Sequence, residues 1–400
     1  MSDPIPVYTS RSQYMSGLDC QHMRALNYHS NGLGGELASW DGIGITPKKE
    51  PSYYQLGTLL HNALEALCLG VDFQQIQQDI WKFEGMSEEL DFGHSGEIEP
   101  HIGVREGATF IEASCVAFQE VILPKLLAEY EVLHVEHEIS LNLKPLPCAH
   151  CPKEFESECQ YCDDTGERPL IWQSKPDVIL KRKRDGCLFV MDLKSTGRKQ
   201  SGADLERQFQ HSILVQAQLA ALEEQFGQPA TAFIYMGILK GWRQRTPDKH
   251  LGYRRQVSPF IYAYCSPEVP DGLSKPVTSH DKWRTGPPKL LADLPHTTIR
   301  DYILALPREV KEAQFLTTAA PIGFDPLMAA RWREEVWKEE LRFLDPQPPF
   351  PSNSNNCFRY GVNRACVFLS CCYSENVKNA PLDSGLYVPR VPHHEIPKET

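Results

Sequence analysis

No stretch of this sequence stays apolar for the roughly 18 residues that a membrane-crossing helix requires, so a bundle of membrane spans is not expected. The N-terminus, MSDPIPVYTSRSQYMSG, lacks the basic-then-apolar order of a secretory signal. The expectation is a cytoplasmic protein of a prokaryotic or phage-infected cell, with no membrane partner. No Gly-x-x-x-x-Gly-Lys-Ser/Thr loop occurs, so the chain encodes no P-loop motor of its own. No internal repeat is present. Basic residues are in the minority, 41 Lys+Arg against 52 Asp+Glu, for a net charge of −11. That balance argues against indiscriminate attraction to nucleic acid, although a local basic groove remains compatible with it.

What the chain has in abundance is cysteine. Thirteen are present, and eight fall in two clusters, CAHCPKEFESECQYC (Cys148, Cys151, Cys159, Cys162) and CFRYGVNRACVFLSCC (Cys357, Cys366, Cys371, Cys372). In a reducing compartment such clusters read as metal ligands before disulfides. The first is two Cys-x-x-Cys turns seven residues apart. Each turn supplies one edge of a tetrahedron, and two complete a four-cysteine zinc site; an iron–sulfur cluster and unliganded thiols are the alternatives.

The patterning is that of an α/β protein. YYQLGTLLHNALEALCLG has helical spacing with Gly70 as its stop, and ATFIEASCVAFQEVILPKLLAEY is a second helix interrupted at Pro124. EVLHVEHEISLNL, PLIWQSKPDVIL and CLFVMDL read as three strands. DLERQFQHSILVQAQLAALEEQFG reads as one long helix ending at Gly227, and ATAFIYMGIL as a further strand. The order helix, strand, strand, strand, helix, strand predicts a small mixed sheet flanked by helices. The segmentation expected is residues 1–50 with one early cysteine; a core at 51–240 carrying the cysteine knuckle as an insertion at 145–168; an accessory helical region at 241–372; and a loose tail at 373–400.

Within SKPDVILKRKRDGCLFVMDLKST, the Asp185-Gly186 pair signals a tight turn. A hairpin built on it sets Asp177 and Asp192 on neighbouring strands at one end, about 15 Å from the turn at roughly 3.3 Å per residue. Two adjacent carboxylates repel unless a positive group lies between them, and a hard divalent cation, Mg2+ or Mn2+, is the usual solution. Lys194, two residues after Asp192, projects from the same face. There it can orient an attacking water or meet charge developing on a phosphate oxygen.

These residues have company. His61 lies on the preceding helix with Gly57 four residues earlier, Glu136 on the preceding strand, and Gln216 on the following helix. The ordered set resembles the RecB-like branch of the PD-(D/E)XK nucleases. The resemblance covers about residues 15 to 240 plus the final cysteines, and it implies a restriction-endonuclease-like core. It implies His61, Asp177 and Asp192 as metal ligands, with the Leu193 carbonyl as a further one. Lys194 would be catalytic, and Gln216 would support the site or contact DNA. Ala220 stands where the Gln-x-x-x-Tyr motif of that branch has its tyrosine, and Lys175 and Pro176 stand where a glycine often precedes the first aspartate.

Relatives of this branch similar to AddB bind a [4Fe–4S] cluster through one cysteine before the core and three after it. The resemblance assigns Cys20, Cys357, Cys366 and Cys372 to that role, with zinc as the rival, and leaves Cys371 as a bystander. The activity implied is metal-dependent hydrolysis of DNA from ends or single strands, in recombination, repair or phage DNA processing, beside a helicase or recombination partner. An endonuclease on the same core and a non-catalytic DNA-binding or assembly protein are the alternatives.

Overall fold

The computed structural model describes residues 4–28, 44–48, 52–85, 104–149, 151, 159, 161–196, 202–210, 212–239, 258–263, 289–294, 298–318, 320–344, 366–374, 376–377 and 380–390. The chain opens on β1 (Val7–Ser10), α1 (Arg11–Asp19) and α2 (Gln21–Tyr28), with β2 (Ile45–Pro47) after them. Four helices follow: α3 (Ser52–Cys68), α4 (Phe73–Gly85), α5 (Val104–Ala117) and α6 (Leu123–Glu129). Next come β3 (Tyr130–Val135), β4 (Ile139–Pro147), β5 (Glu167–Ser174), β6 (Val178–Arg182) and β7 (Leu188–Thr196). Helices α7 (Gly202–Gln210) and α8 (Ile213–Phe226) lead to β8 (Ala230–Leu239). The short strands β9 (Tyr262–Ala263) and β10 (Lys289–Leu290) precede α9 (Ile299–Ala305) and α10 (Arg308–Glu312). After β11 (Phe315–Thr317) and β12 (Ile322–Gly323) come α11 (Pro326–Arg342), a short helix Leu369–Tyr373 and β13 (Tyr387–Pro389).

The chain divides into two compact units that are each discontinuous in sequence: residues 1–50, 140–174 and 326–400 in one, 51–139 and 175–325 in the other. This departs from the linear segmentation expected above. The knuckle is grouped with both chain ends, and helices α9 and α10 with the central sheet. Two strand breaks produce the division. EVLHVEHEISLNL bends at Glu136, whose φ of 49° lies in the left-handed region, and so yields β3 and β4 instead of one strand. PLIWQSKPDVIL breaks before Pro176, which has no N–H to give a ladder, and yields β5 and β6.

The unit of residues 51–139 and 175–325 is built on a sheet of order β11-β8-β7-β6-β3, with β12 also paired to β8. The β3–β6 and β6–β7 pairs are antiparallel and β7–β8 is parallel. The β6–β7 hairpin turns at Gly186 (φ +73°), and Arg182 pairs with Asp185 across the turn at 2.6 Å. One face of the sheet buries Val178, Leu180, Met191 and Leu193 against Leu60 and Leu64 of α3 and Phe110 of α5. Pro124 does not break its helix as expected. Without an N–H it cannot continue the regular ladder, so the turn before it, Phe118–Ile122, widens to π-helical geometry and α6 follows directly. The long helix expected after Lys194 is instead α7 and α8; the latter ends at Gly227 in the left-handed conformation.

The other unit contains the sheet β1-β5-β4 and the pair β13-β2. The C-terminal stretch expected to be loose therefore supplies a strand. Its central feature is buried charge. Arg24 is fully buried, its Nη2 2.6 Å from Glu340 and its Nη1 3.5 Å from Glu339, with the guanidinium 3.9 Å from the centre of the Phe343 ring. Thr9 donates a further hydrogen bond to Glu340. Gly17 is required beside them, because a Cβ there would overlap the Glu339 carboxylate and the Arg24 chain. Arg24→Ala would leave two buried carboxylates without their cation, an effect of about 3–5 kcal/mol. The urea midpoint of the variant should fall accordingly, and an unchanged midpoint would show that the cluster contributes nothing.

Candidate active site and metal centres

The register of the central sheet aligns one polar residue from each of five strands or strand ends. Val135 pairs with Val178, and the next step brings the Glu136 N–H to the Asp177 carbonyl at 3.0 Å. Val178 pairs with Met191, so Asp177 and Asp192 face each other one step further on. Asp192 is in register with Tyr235, and the Thr318 N–H reaches the Tyr235 carbonyl at 3.3 Å. The row Glu136–Asp177–Asp192–Tyr235–Thr318 crosses the sheet at one level. Asp177 and Asp192 are only 6% and 4% exposed.

Around this row His61 and Lys194 approach Asp177, and Lys194 links it to Asp192, whose oxygens are not among the ligand atoms that gather within 4.8 Å of one another. His61 Nδ1 stands 3.7 Å from Asp177 Oδ2, and Lys194 Nζ stands 3.7 Å from the same oxygen and 2.9 Å from Asp192 Oδ1. The Leu193 N–H donates to Asp177 Oδ2 at 2.5 Å, which fixes that carboxylate against β7. Gln216 has a supporting role away from the ligands. Its side chain is buried on α8, where an amide must be bonded. It donates to the Gly323 carbonyl at 3.2 Å and accepts from the Asp325 N–H at 2.7 Å, and so holds the strand end at β12.

The structure adds Glu65 to the expected set and brings Glu136 beside it. Glu65, one helical turn beyond His61 on α3, is 4% exposed, and its Oε1 has no hydrogen-bond partner among the described residues. Ligand atoms of His61, Glu65 and Asp177 all lie within 4.8 Å of one another, a grouping able to hold a metal ion. Glu136 joins them from β3, with Lys175 paired to its carboxylate. Burial, then the charges of Glu136 and Asp177, push Glu65 up to about 8. Burial likewise raises Asp177, against the pull of Lys194 and the Leu193 N–H. Four carboxyl groups gathered beside Lys175 and Lys194 are hard to ionise together where burial is high, a cost that a divalent cation would relieve. The sequence signal for Glu65 was its four-residue spacing from His61, which places both on one helix face.

In the other unit the four knuckle cysteines converge as expected. Their sulfurs lie within 4.8 Å of one another, with Cys148 and Cys159 3.7 Å apart and Cys151 and Cys162 3.2 Å apart. The turn that follows Cys162 is tight. Asp163, Asp164 and Gly166 have positive φ, Asp164 accepts from the Cys159 N–H at 2.8 Å, and the Cys148 N–H reaches the Gly166 carbonyl at 2.9 Å. Desolvation raises the Cys159 thiol, but hydrogen bonds from the Tyr161 and Cys162 backbone and from neighbouring thiols outweigh it and hold it at about 7. Such a site can take a metal such as zinc, or an iron–sulfur cluster.

Of the second cysteine set, Cys357 lies outside the described residues. Cys20 immediately precedes α2, whose Met23 and Leu26 pack in one apolar cluster with Cys366, Phe368, Cys371 and Tyr387. Cys371 is buried within that cluster. Among the described residues Cys20, Cys366 and Cys372 do not close on one point as the knuckle thiols do. No helix among the described residues is long and apolar enough to cross a membrane. No protein-family model matches the chain, and no curated protein matches it significantly.

Proposed function

We propose that this chain is a metal-dependent DNA nuclease of the PD-(D/E)XK kind, similar to the RecB-like branch and acting as an exonuclease on DNA ends. The observation that carries the reading is the convergence of His61, Asp177, Asp192 and Lys194 at one end of the β6–β7 hairpin. The succession α3, β3, β6, β7, α8, β8, with a parallel β7–β8 pair, supports it as the framework such a site requires.

His61, Asp177, Asp192 and the Leu193 carbonyl would hold Mg2+ or Mn2+, with Glu65 as an added ligand. The ion would supply Lewis-acid stabilisation of the phosphate undergoing displacement. The chain's own groups do the rest. The Leu193 N–H pins Asp177, and Lys194, whose side chain is 40% exposed, steadies Asp192 and would meet a phosphate oxygen or the attacking water. The same reading gives the knuckle a zinc ion. With Zn–S near 2.3 Å, tetrahedral geometry sets sulfurs about 3.8 Å apart, close to the 3.7 Å found for Cys148 and Cys159. It gives Cys20, Cys357, Cys366 and Cys372 a [4Fe–4S] cluster clasping the chain ends. A helicase or recombination protein would be the working partner in a prokaryotic or phage-infected cytoplasm.

The test is digestion of end-labelled linear DNA and covalently closed circles in Mn2+. Loss of linear DNA alone supports the exonuclease, cutting of circles the endonuclease, and survival of both a non-catalytic DNA-binding protein. Lys194→Ala should retain Mn2+ binding and lose about 10²- to 10³-fold in rate, the usual effect of removing one group that stabilises developing charge.

A further inference from the structure

Of the two members of the polar row without a task, Tyr235 and Thr318, the tyrosine is the one beside Asp192. It is 6% exposed and in register with Asp192. Phe209 of α7 stacks on its ring with centroids 4.5 Å apart and planes 26° apart. The ring leans along β8 over Gly237, where an added Cβ would meet Tyr235 Cε1 at 3.0 Å and Oη at 3.4 Å. Gly237 is itself in register with Lys194. The tyrosine thus starts beside Asp192 and ends with its hydroxyl level with Lys194, about one strand spacing, roughly 4.8 Å, across the sheet.

The surroundings explain why a glycine and an aromatic pair are found there. Gly237 leaves the space into which the ring folds, and Phe209 covers the opposite side. No hydrogen bond among the described residues engages the Tyr235 hydroxyl, and it is not one of the fully buried polar atoms, so it stands open to a ligand oxygen. A phenol is protonated at neutral pH, so the hydroxyl is available as a hydrogen-bond donor.

Resting on the nuclease reading above, the geometry points to Tyr235 as a further catalytic residue, whose hydroxyl donates a hydrogen bond to a non-bridging oxygen of the scissile phosphodiester beside Lys194. No bond to tyrosine is made or broken. The hydroxyl and the ammonium meet the same phosphate from adjacent strands, and charge that grows on its oxygens strengthens both contacts.

Tyr235→Phe keeps the ring, its stacking on Phe209 and its packing, and removes only the hydroxyl. In Mn2+-dependent digestion of linear DNA, kcat should fall by about 10²-fold, with KM, Mn2+ affinity and thermal midpoint unchanged. Gly237→Ala displaces the hydroxyl by crowding the ring, so it should lower kcat similarly. The double variant should be no slower than the slower single variant, because both remove one interaction. A Tyr235→Phe enzyme with the parent's kcat overturns the inference, whether or not Gly237→Ala folds. So does a loss of kcat that accompanies an equal loss of stability or of Mn2+ affinity. Asp192→Ala, assayed in parallel, separates the two readings. If it is inactive while Tyr235→Phe is parent-like, only the tyrosine's role falls; if it too is parent-like, the nuclease reading falls.

Discussion

Asp177→Asn should abolish metal-dependent DNA degradation, by on the order of 10³-fold or more, while leaving the fold intact. Asp177 sits at the centre of the site. His61 and Lys194 each stand 3.7 Å from its Oδ2, and the Leu193 N–H donates to that oxygen. Asparagine preserves volume and an acceptor for Leu193, so no cavity forms in the sheet. Burial disfavours the aspartate's charge when no cation is bound, so the metal-free variant should be at least as stable as the parent. Mn2+ then distinguishes them. A ligand at a hundred times its Kd stabilises the folded state by about 2.7 kcal/mol. The parent should gain thermal stability of that order on Mn2+ addition, and Asp177→Asn should gain almost none. A variant that still degrades DNA and still responds to Mn2+ would place the site elsewhere.

Cys159→Ser should remove one zinc per chain and unfold the turn between β4 and β5. The cysteine is buried, and its N–H is held by Asp164, so the thiol lies inside the knuckle. Structural zinc in small sites contributes about 10–16 kcal/mol of apparent binding free energy at neutral pH, far more than the surrounding turn can supply. Metal analysis of anaerobically purified protein reads both cysteine sets at once. Cys159→Ser should lose zinc and keep iron, whereas Cys372→Ala should lose iron and keep zinc, and Cys371→Ala should lose neither. Unchanged zinc in Cys159→Ser would reject the knuckle as a zinc site, and iron-free parent protein would reject the cluster.

The features legible in the sequence were those whose chemistry is local. Asp185-Gly186 marks its turn without help from the rest of the chain, and the spacing of Asp192 to Lys194 sets both on one face whatever surrounds the strand. Two Cys-x-x-Cys turns likewise converge because each is nearly complete in itself. What escaped depended on partners remote in the chain. The polar row joins residues from 136 to 318, and only the pairing of five strands shows that they align. The breaks at Glu136 and Pro176 lie inside runs whose alternation continues on both sides, so periodicity alone joined strands that belong to different sheets. Gln216 looked like a member of the site because of its place after Lys194, yet a buried amide takes its partners from whatever backbone is nearest, here that of residues 323 and 325.

The division of the chain also orders its synthesis. The residues of the sheet-bearing unit are all present once residue 325 has been made, whereas the unit with the knuckle needs segments from near the start, the middle and the far end of the sequence. At about 5–20 residues per second, several seconds separate the two completions on the ribosome. Through that interval Arg24 waits for Glu339 and Glu340, and Tyr387 has yet to appear as the partner of residues in β2. The nascent chain would carry a nearly finished central sheet before the part that gathers its cysteines is closed. A chain stopped just after residue 325 would contain the whole of the sheet-bearing unit and only two of the three segments of the other.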